Sequence, residues 1–300
     1  MNRTESEACE LCGSEDSEPL YTRHLRSVAP PMARCRGCRL IFISPRPVKE
    51  QEEEYYRSGY YEAEIKQSEY LSRLAIFEHS LAEIRRFKTG GALLDIGCGP
   101  GHFLKKAGEL GWKTFGVEIS AKAAREASET TSAQIFQGSL TKASYPPGSF
   151  DVATFYNVLD QLISPRGALD AVRTILKPGG LVVVRVPNSN FHHPFKTWMD
   201  WVGSSLLFAP PLSLTPFHLY QFSPVTLTRL VEKCGFSVVE IRNAKVTAGD
   251  PGKTYGPRKE FLLSVFKNIL QAGAYVLYRL SGKKVILGPS FELYAMKPSW

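Results

Sequence analysis

Four of the six cysteines fall into two pairs, Cys9-Glu10-Leu11-Cys12 and Cys35-Arg36-Gly37-Cys38, with twenty-two residues between them. A C-x-x-C turn brings two thiolates to one side of a tight knuckle, and two knuckles supply the four sulfurs of a closed tetrahedral zinc site. Gly13 and Gly37 suit such turns. Disulfide pairing is the competing reading; a short segment with little apolar content in a reducing compartment favours metal instead. Four thiolates leave no open coordination position, so zinc held by Cys9, Cys12, Cys35 and Cys38 is expected to be structural. Reaction chemistry must be sought elsewhere.

The second constellation is Asp95-Ile96-Gly97-Cys98-Gly99-Pro100-Gly101. It lies where an apolar strand pattern turns into a helical one. Glycines there let a ligand approach the backbone near the positive end of a helix, as a nucleotide-type pocket requires. The dinucleotide fingerprint G-x-G-x-x-G needs glycine at the next position, which is His102, so a dehydrogenase is disfavoured. Glu118 ends the following strand, twenty-three residues beyond Asp95, the separation at which a carboxylate can accept ribose hydroxyls. A third candidate is His218, an imidazole that titrates near neutrality and could take a proton from an acceptor hydroxyl or carbon acid. His192 and His193 have less support, because adjacency in sequence does not make a metal pair.

These residues need a scaffold. Tyr70, Leu74, Phe77, Leu81, Ile84 and Phe87 recur at helical spacing across 68–88, and Gly90-Gly91 stops that helix. Strand Ala92–Ile96, helix His102–Leu110, strand Lys113–Ile119 and a helix capped by Ser120 then form a βαβ unit. Further strands are expected at Gln134–Phe136, Phe150–Tyr156 and Leu181–Val186. Ser164 with Pro165, and Ser223 with Pro224, mark two more helix starts, the second closed by Gly235. Strand Phe236–Ile241 follows. The alternation predicts an α/β fold with a mostly parallel, doubly wound, Rossmann-like sheet.

With these motifs assembled, the chain resembles the class I methyltransferase superfamily over about residues 70 to 245. The resemblance rests on Leu93–Gly101 (LLDIGCGPG), Glu118, Ser149-Phe150-Asp151-Val152 and Leu176-Lys177-Pro178-Gly179-Gly180. It implies a seven-stranded sheet whose last strand, Phe291–Met296, runs antiparallel, and it implies S-adenosylmethionine as cofactor. It further implies that Gly97 and Gly99 lie against the methionine part, that Cys98 and Gly101 also belong to the cofactor site, that Asp95 orders the loop and that Glu118 binds ribose. Ile119 would touch adenine, and Asn157 would sit beside the methyl donor. Where the superfamily often carries an aspartate for the adenine amino group, this chain has Gly138-Ser139-Leu140, so Ser139 and the Leu140 backbone would take that place. A narrower resemblance joins Arg34–Phe42, Pro45-Arg46-Pro47, Tyr55-Tyr56, Pro187-Asn188 and His218–Ser223 to bacterial methyltransferases with an N-terminal zinc knuckle. That group includes sugar C-methyltransferases and quinone-type O-methyltransferases.

The expected organisation is therefore a zinc-binding module at 1–50, a helical lead-in at 51–90 and a methyltransferase domain at 91–300. Lid insertions are expected at about 189–217 and 247–289. The first is rich in aromatics, among them Phe191, Phe195, Trp198, Trp201, Phe208 and Phe217. The second carries an amphipathic helix with Leu262, Val265, Phe266, Ile269, Ala272, Val276 and Leu280 on one face, expected to pack on the domain or cover a greasy acceptor.

Three hundred residues with 43% hydrophobic and 22% charged residues are ordinary for a globular protein. No signal-peptide pattern or apolar run of membrane-spanning length appears, which predicts a cytoplasmic protein. The formal charge of +8 is uneven: residues 251–300 hold eight Lys/Arg against Glu260 and Glu292. That stretch allows peripheral membrane contact through 259–284. Nucleic acid is disfavoured as a partner, since six acids crowd the first twenty residues against Arg3 alone. The expected reaction is methyl transfer to an oxygen or carbon of a small-molecule acceptor, with His218 as base. An RNA methyltransferase and a non-catalytic cofactor-binding protein are the alternatives, and oligomeric state is left open.

Overall fold

A computed structural model describes residues 4–5, 8–20, 32–47, 67–192, 218–245, 265, 269, 272–282 and 284–299. His193, Phe195, Trp198, Trp201, Phe208 and Phe217, with most of the expected second insertion, lie outside them.

The N-terminal part contributes strands β1 (Thr4–Glu5), β2 (Ser17–Pro19), β3 (Met32–Cys35), β4 (Ile41–Ile43) and β5 (Arg46–Pro47). Helix α1 (Gln67–Ile84) then leads into β6 (Ala92–Ile96), α2 (His102–Glu109), β7 (Lys113–Glu118), α3 (Ala121–Thr130) and β8 (Gln134–Gln137). The chain continues through β9 (Phe150–Tyr156), α4 (Pro165–Ile175), β10 (Leu176–Pro187), β11 (Tyr220–Gln221), α5 (Pro224–Lys233), β12 (Ser237–Asn243) and β13 (Ser290–Met296). The helix starts form where short oxygen-bearing side chains satisfy otherwise unpaired backbone donors. Ser120, Ser164 and Ser223 accept from the N–H groups of Ala123, Gly167 and Thr226.

The central sheet has seven strands in the order β12-β13-β10-β9-β6-β7-β8. Only β13 runs antiparallel to its neighbours. The α/β expectation and the antiparallel last strand therefore hold. The strand that most exceeds its expected length is β10, which starts at Leu176 rather than Leu181 because Leu176 already pairs with Phe150 of β9. Burial on both faces explains the near-continuous apolar runs of β6, β9 and β10.

One face of the sheet is covered by α1 and α2, the other by α4, α5 and the N-terminal module. Under α1, Glu292 of β13 is fully buried and accepts from Ser80 Oγ at 2.9 Å and Tyr294 Oη at 2.7 Å, while Arg242 of β12 bonds Glu292, Tyr294 and Glu83. With each member partnered, the network fixes where α1 lies across the sheet.

The C-terminal helix, described at 272–280, corrects the expected packing face. Ala274 and Tyr278 are the buried residues, whereas Val265, Ile269, Val276 and Leu280 are exposed, Leu280 by 80%. The reason is its anchorage: Ala274 O accepts from Asn243 Nδ2, and Tyr278 Oη donates to Ile241 O, so the helix turns its tyrosine edge toward β12. No helix among the described residues is long and apolar enough to cross a membrane.

Candidate functional site

The glycine loop follows β6 without an intervening residue, and its geometry depends on missing side chains. Gly97, Gly99 and Gly101 have φ values of 68°, 53° and 81°, in the left-handed region that glycine alone enters without strain. A Cβ on Gly97 would stand 2.5 Å from Val158, so that position is doubly restricted. Gly116 in β7 is required for a different reason: a Cβ there would collide with Cys98 Sγ at 2.7 Å, and the buried Cys98 side chain occupies that space instead.

Glu118, at the tip of β7 and 2% exposed, receives the Gly99 N–H on Oε2 and the Ser120 N–H on Oε1, both at 2.8 Å. A carboxylate oxygen can accept more than one hydrogen bond, so these backbone contacts do not by themselves bar a ligand hydroxyl. Glu118 ties the glycine loop in place, while Asp95 accepts from Thr154 Oγ1 of β9 at 2.6 Å. Burial pushes the Asp95 carboxyl up to about 7, with the Glu118 charge adding to the rise and the Thr154 hydrogen bond opposing it. Ile119 and Ser139 follow the adjacent strand ends of β7 and β8, and Gly138 N–H donates to Glu118 O at 2.9 Å, joining the two. Ser139 Oγ is 3.1 Å from Thr141 Oγ1, and Leu140 opens a short 3₁₀ turn.

Asn157 leaves β9 with φ of 56°, an uncommon conformation for a residue other than glycine. Arg185 of β10 holds it from two sides: its guanidinium donates to Asn157 Oδ1 at 2.9 Å, and its carbonyl accepts the Asn157 N–H at 2.8 Å. The loop it begins carries Asp160, which is 1% exposed and bonds His218 Nδ1 through Oδ2. Asp160 Oδ1 and Arg185 Nε have no hydrogen-bond partner among the described residues. Burial pulls the His218 pKa down, but the Asp160 charge and hydrogen bond outweigh it, leaving the ring above its ordinary value. With Nδ1 committed to Asp160, Nε2 is the nitrogen left for a substrate. His192, by contrast, uses Nε2 on Pro289 O at 2.8 Å, which assigns it to packing.

Neither Asp160 nor Arg185 was singled out from sequence. The available signals were a charge inside the apolar run Leu181–Val186 and an acid between Leu159 and Leu162 after a strand. Neither said which distant residue would answer it.

The four paired cysteines converge. All four sulfurs lie within 4.8 Å of one another, with Cys9–Cys38 and Cys12–Cys35 at 3.4 Å. A tetrahedron with Zn–S bonds of about 2.3 Å has S···S edges of roughly 3.8 Å, so the cluster fits zinc; disulfides, with sulfurs about 2.05 Å apart, are not formed. The module is not set apart. Strand β11, from far along the chain, completes its sheet in the order β11-β4-β3-β2. Lys233 Nζ of α5 donates to Leu11 O at 2.8 Å, and Ser164 Oγ to Glu10 at 3.3 Å.

Comparison with known proteins agrees with this geometry. A family model described as a methyltransferase domain matches residues 67–241. The ubiquinone biosynthesis O-methyltransferase of Albidiferax ferrireducens is 34% identical over 177 residues, covering 56% of this chain and 65% of that protein. The same-named protein of Cupriavidus pinatubonensis is 29% identical over 179 residues, covering 56% and 66%. The chain spans about two thirds of the length of these two relatives. Among solved structures, a SAM-dependent methyltransferase from Archaeoglobus fulgidus shares the fold at 20% identity, with a TM-score of 0.50 over 75% of this chain and 94% of that one. The [4+2]-cyclase SpnF shares it too, at 17% identity and a TM-score of 0.50 over 74% of this chain and 82% of that one, so the fold alone does not name a reaction. The family match, in contrast, covers more than half of the chain and takes in the glycine loop, Glu118, Asp160 and His218, and on that ground the chain belongs to the methyltransferase-domain family.

Proposed function

We propose that the protein transfers a methyl group from S-adenosylmethionine to a hydroxyl oxygen of a small quinone-type acceptor. The observation that carries this reading is the pairing of half-buried His218 with buried Asp160, which lies on the loop that begins at Asn157 and packs through Val158 against Gly97 of the glycine cradle tied down by Glu118. The O-methyltransferase names of the relatives support oxygen as the atom methylated.

S-adenosylmethionine, when bound, supplies a methyl group already activated on a sulfonium, so the protein's work is orientation and proton removal. Gly97, Gly99 and Gly101 admit the methionine part close to the backbone, Glu118 accepts from the ribose, and Ile119 with Ser139 and Leu140 borders the adenine. His218 Nε2 would take the acceptor's hydroxyl proton, so that the oxygen can accept the methyl group as its bond to the sulfonium sulfur breaks and S-adenosylhomocysteine leaves as the neutral thioether. Asp160 holds the ring by Nδ1 and stabilises the imidazolium, and Asn157, braced by Arg185, shapes the wall at the donor. Zinc on Cys9, Cys12, Cys35 and Cys38 would be structural, since all four positions are taken by sulfur.

The RNA reading loses support from the module's surface, where Arg34 and Arg36 pair with Glu18 and Asp16 and their charge is met internally. The test is calorimetric titration with S-adenosylmethionine, followed by measurement of S-adenosylhomocysteine release with catechol and hydroquinone acceptors. Micromolar cofactor binding with acceptor-dependent release is expected. Binding without release to any hydroxylated aromatic would overturn the acceptor class, and no binding by the folded protein would overturn the enzyme reading.

One further observation favours a membrane-facing acceptor route. Ile269, Val276 and Leu280 are exposed at helical spacing, with Arg279 and Lys284 beside them. Apolar residues flanked by cations suit an anionic bilayer surface. Co-sedimentation with vesicles containing anionic phospholipid is expected, and should vanish in Ile269→Glu with Leu280→Glu; equal recovery with and without vesicles would remove this route.

A further inference from the structure

The zinc module and the reacting histidine are usually separate questions, but here they share a strand. His218 lies two residues before β11, separated from it by Leu219; the strand has only two residues, and two residues make no stable sheet by themselves. Two backbone bonds hold this segment in place from opposite sides. Ile43 N–H, at the end of β4, donates to Leu219 O at 2.9 Å, and Tyr220 N–H donates to Asp160 O at 3.0 Å. The strand is thus a splint between the module and the loop bearing the histidine's carboxylate partner. Side chains reinforce both ends. Tyr220 is 1% exposed, pairs with Phe42 of β4, and its hydroxyl donates to Ile163 O at 2.9 Å, at the far end of that same loop. Leu219 and Phe222 are fully buried around it.

The cysteine cluster sets the register of β4. Cys35 ends β3, and Cys38 lies in the turn joining β3 to β4. That turn is closed by Arg39 N–H to Cys35 O and Cys35 N–H to Leu40 O, both 2.9 Å. A one-residue slip of β4 would send its side chains to opposite faces and move the Ile43 donor away from Leu219. A metal tying Cys35 and Cys38 to Cys9 and Cys12 prevents that slip.

We infer that the zinc module is a positioning element for the methyl-transfer site, setting the place of His218 against Asp160 through the pairing of Ile43 with Leu219. Metal at the module therefore supports turnover while binding no substrate. This rests on the proposed role of His218, although the physical coupling does not.

The experiment compares the zinc-loaded protein with the chelator-stripped protein and with Ile43→Pro, which removes the one N–H that β4 gives to Leu219. Three readouts are taken: the His218 ring titration by NMR, assigned with His218→Gln; the S-adenosylmethionine dissociation constant by calorimetry; and turnover. Asp160 is the acid that faces the ring, and His192 is the other titrating group whose charge couples to it. In both altered proteins the His218 titration is expected to fall toward the ordinary imidazole value and turnover to drop by about 100-fold, the scale of a lost general base. Cofactor affinity should stay within about twofold, because the glycine loop is held by β7, through Gly97 N–H to Val117 O and Gly99 N–H to Glu118. An unchanged His218 titration in either protein would overturn the inference. Parallel loss of cofactor binding would overturn it too, since the module would then be a global scaffold. If His218→Gln itself left turnover intact while the titration still moved with zinc, the base assignment would fall and the positioning would stand.

Discussion

The two poles of the proposed site are built in opposite ways. The cofactor pole is local: β6, the glycine loop, α2 and β7 run consecutively from Ala92 to Glu118, and the decisive bond, Gly99 N–H to Glu118, spans 19 residues. The acceptor pole is assembled from afar. His218 meets Asp160 across 58 residues, Arg185 meets Asn157 across 28, and the strand beside His218 is completed by β4, which belongs to the N-terminal module. A local site tolerates change elsewhere in the molecule, whereas one drawn from three distant segments fails when any of them moves. Variants at the two poles should therefore separate cleanly into affinity effects and turnover effects.

The largest separation is expected for His218→Ala. Loss of a general base lowers turnover by roughly 100- to 10,000-fold, while the cofactor dissociation constant measured by calorimetry stays unchanged; a parallel loss of both would make the two poles one unit. Glu118→Ala is the mirror image. Removing charge-assisted hydrogen bonds to the ribose and to Gly99 should weaken cofactor binding by about 1–3 kcal/mol, and an unaltered dissociation constant would take Glu118 out of the pocket.

Smaller effects sharpen the electrostatics. The Asp160 carboxylate holds His218 above its ordinary value against the opposing effect of burial. In Asp160→Asn burial alone remains, so the acidic limb of the turnover–pH profile should move to lower pH as its plateau falls. A limb that does not move would detach Asp160 from the reacting base. Asp95 supplies the smallest effect. Its folded pKa of about 7 exceeds the ordinary carboxylate value of about 3.9, so folding takes up a proton between those values and stability falls as pH rises through that window. A cationic cofactor favours the ionised form. Affinity should therefore improve by up to about tenfold from pH 6 to pH 8, with proton release seen by calorimetry in two buffers, and Asp95→Asn should flatten the dependence.

Much of this was readable in advance because it depends on neighbours in sequence. Serine caps at 120, 164 and 223, the glycine loop and the alternation of strands and helices act over single turns, and each appears where its local chemistry requires. The contacts that local pattern did not name are those decided at longer range. The resemblance implies that Asp95 orders the loop it adjoins; strand pairing of β6 with β9 also sets its carboxylate against Thr154, a partner that no local pattern names. The C-terminal helix shows a regular apolar stripe, yet hydrogen bonds from β12 and to Ile241 select the Tyr278 edge for burial. Periodicity identifies faces without saying which has a surface to meet.

What the sequence by itself determined is the chemistry available at each pole: four thiolates spaced for a closed metal site, a backbone without side chains where a cofactor must approach, an acid one strand later and an imidazole before a helix. Those depend on residue type and short spacing, which the chain carries explicitly. Only the tertiary structure decided that the imidazole would stand on a buried carboxylate and that the metal module would hold the strand beside it, because strand order and register are set by burial across the whole molecule, and no local pattern records them.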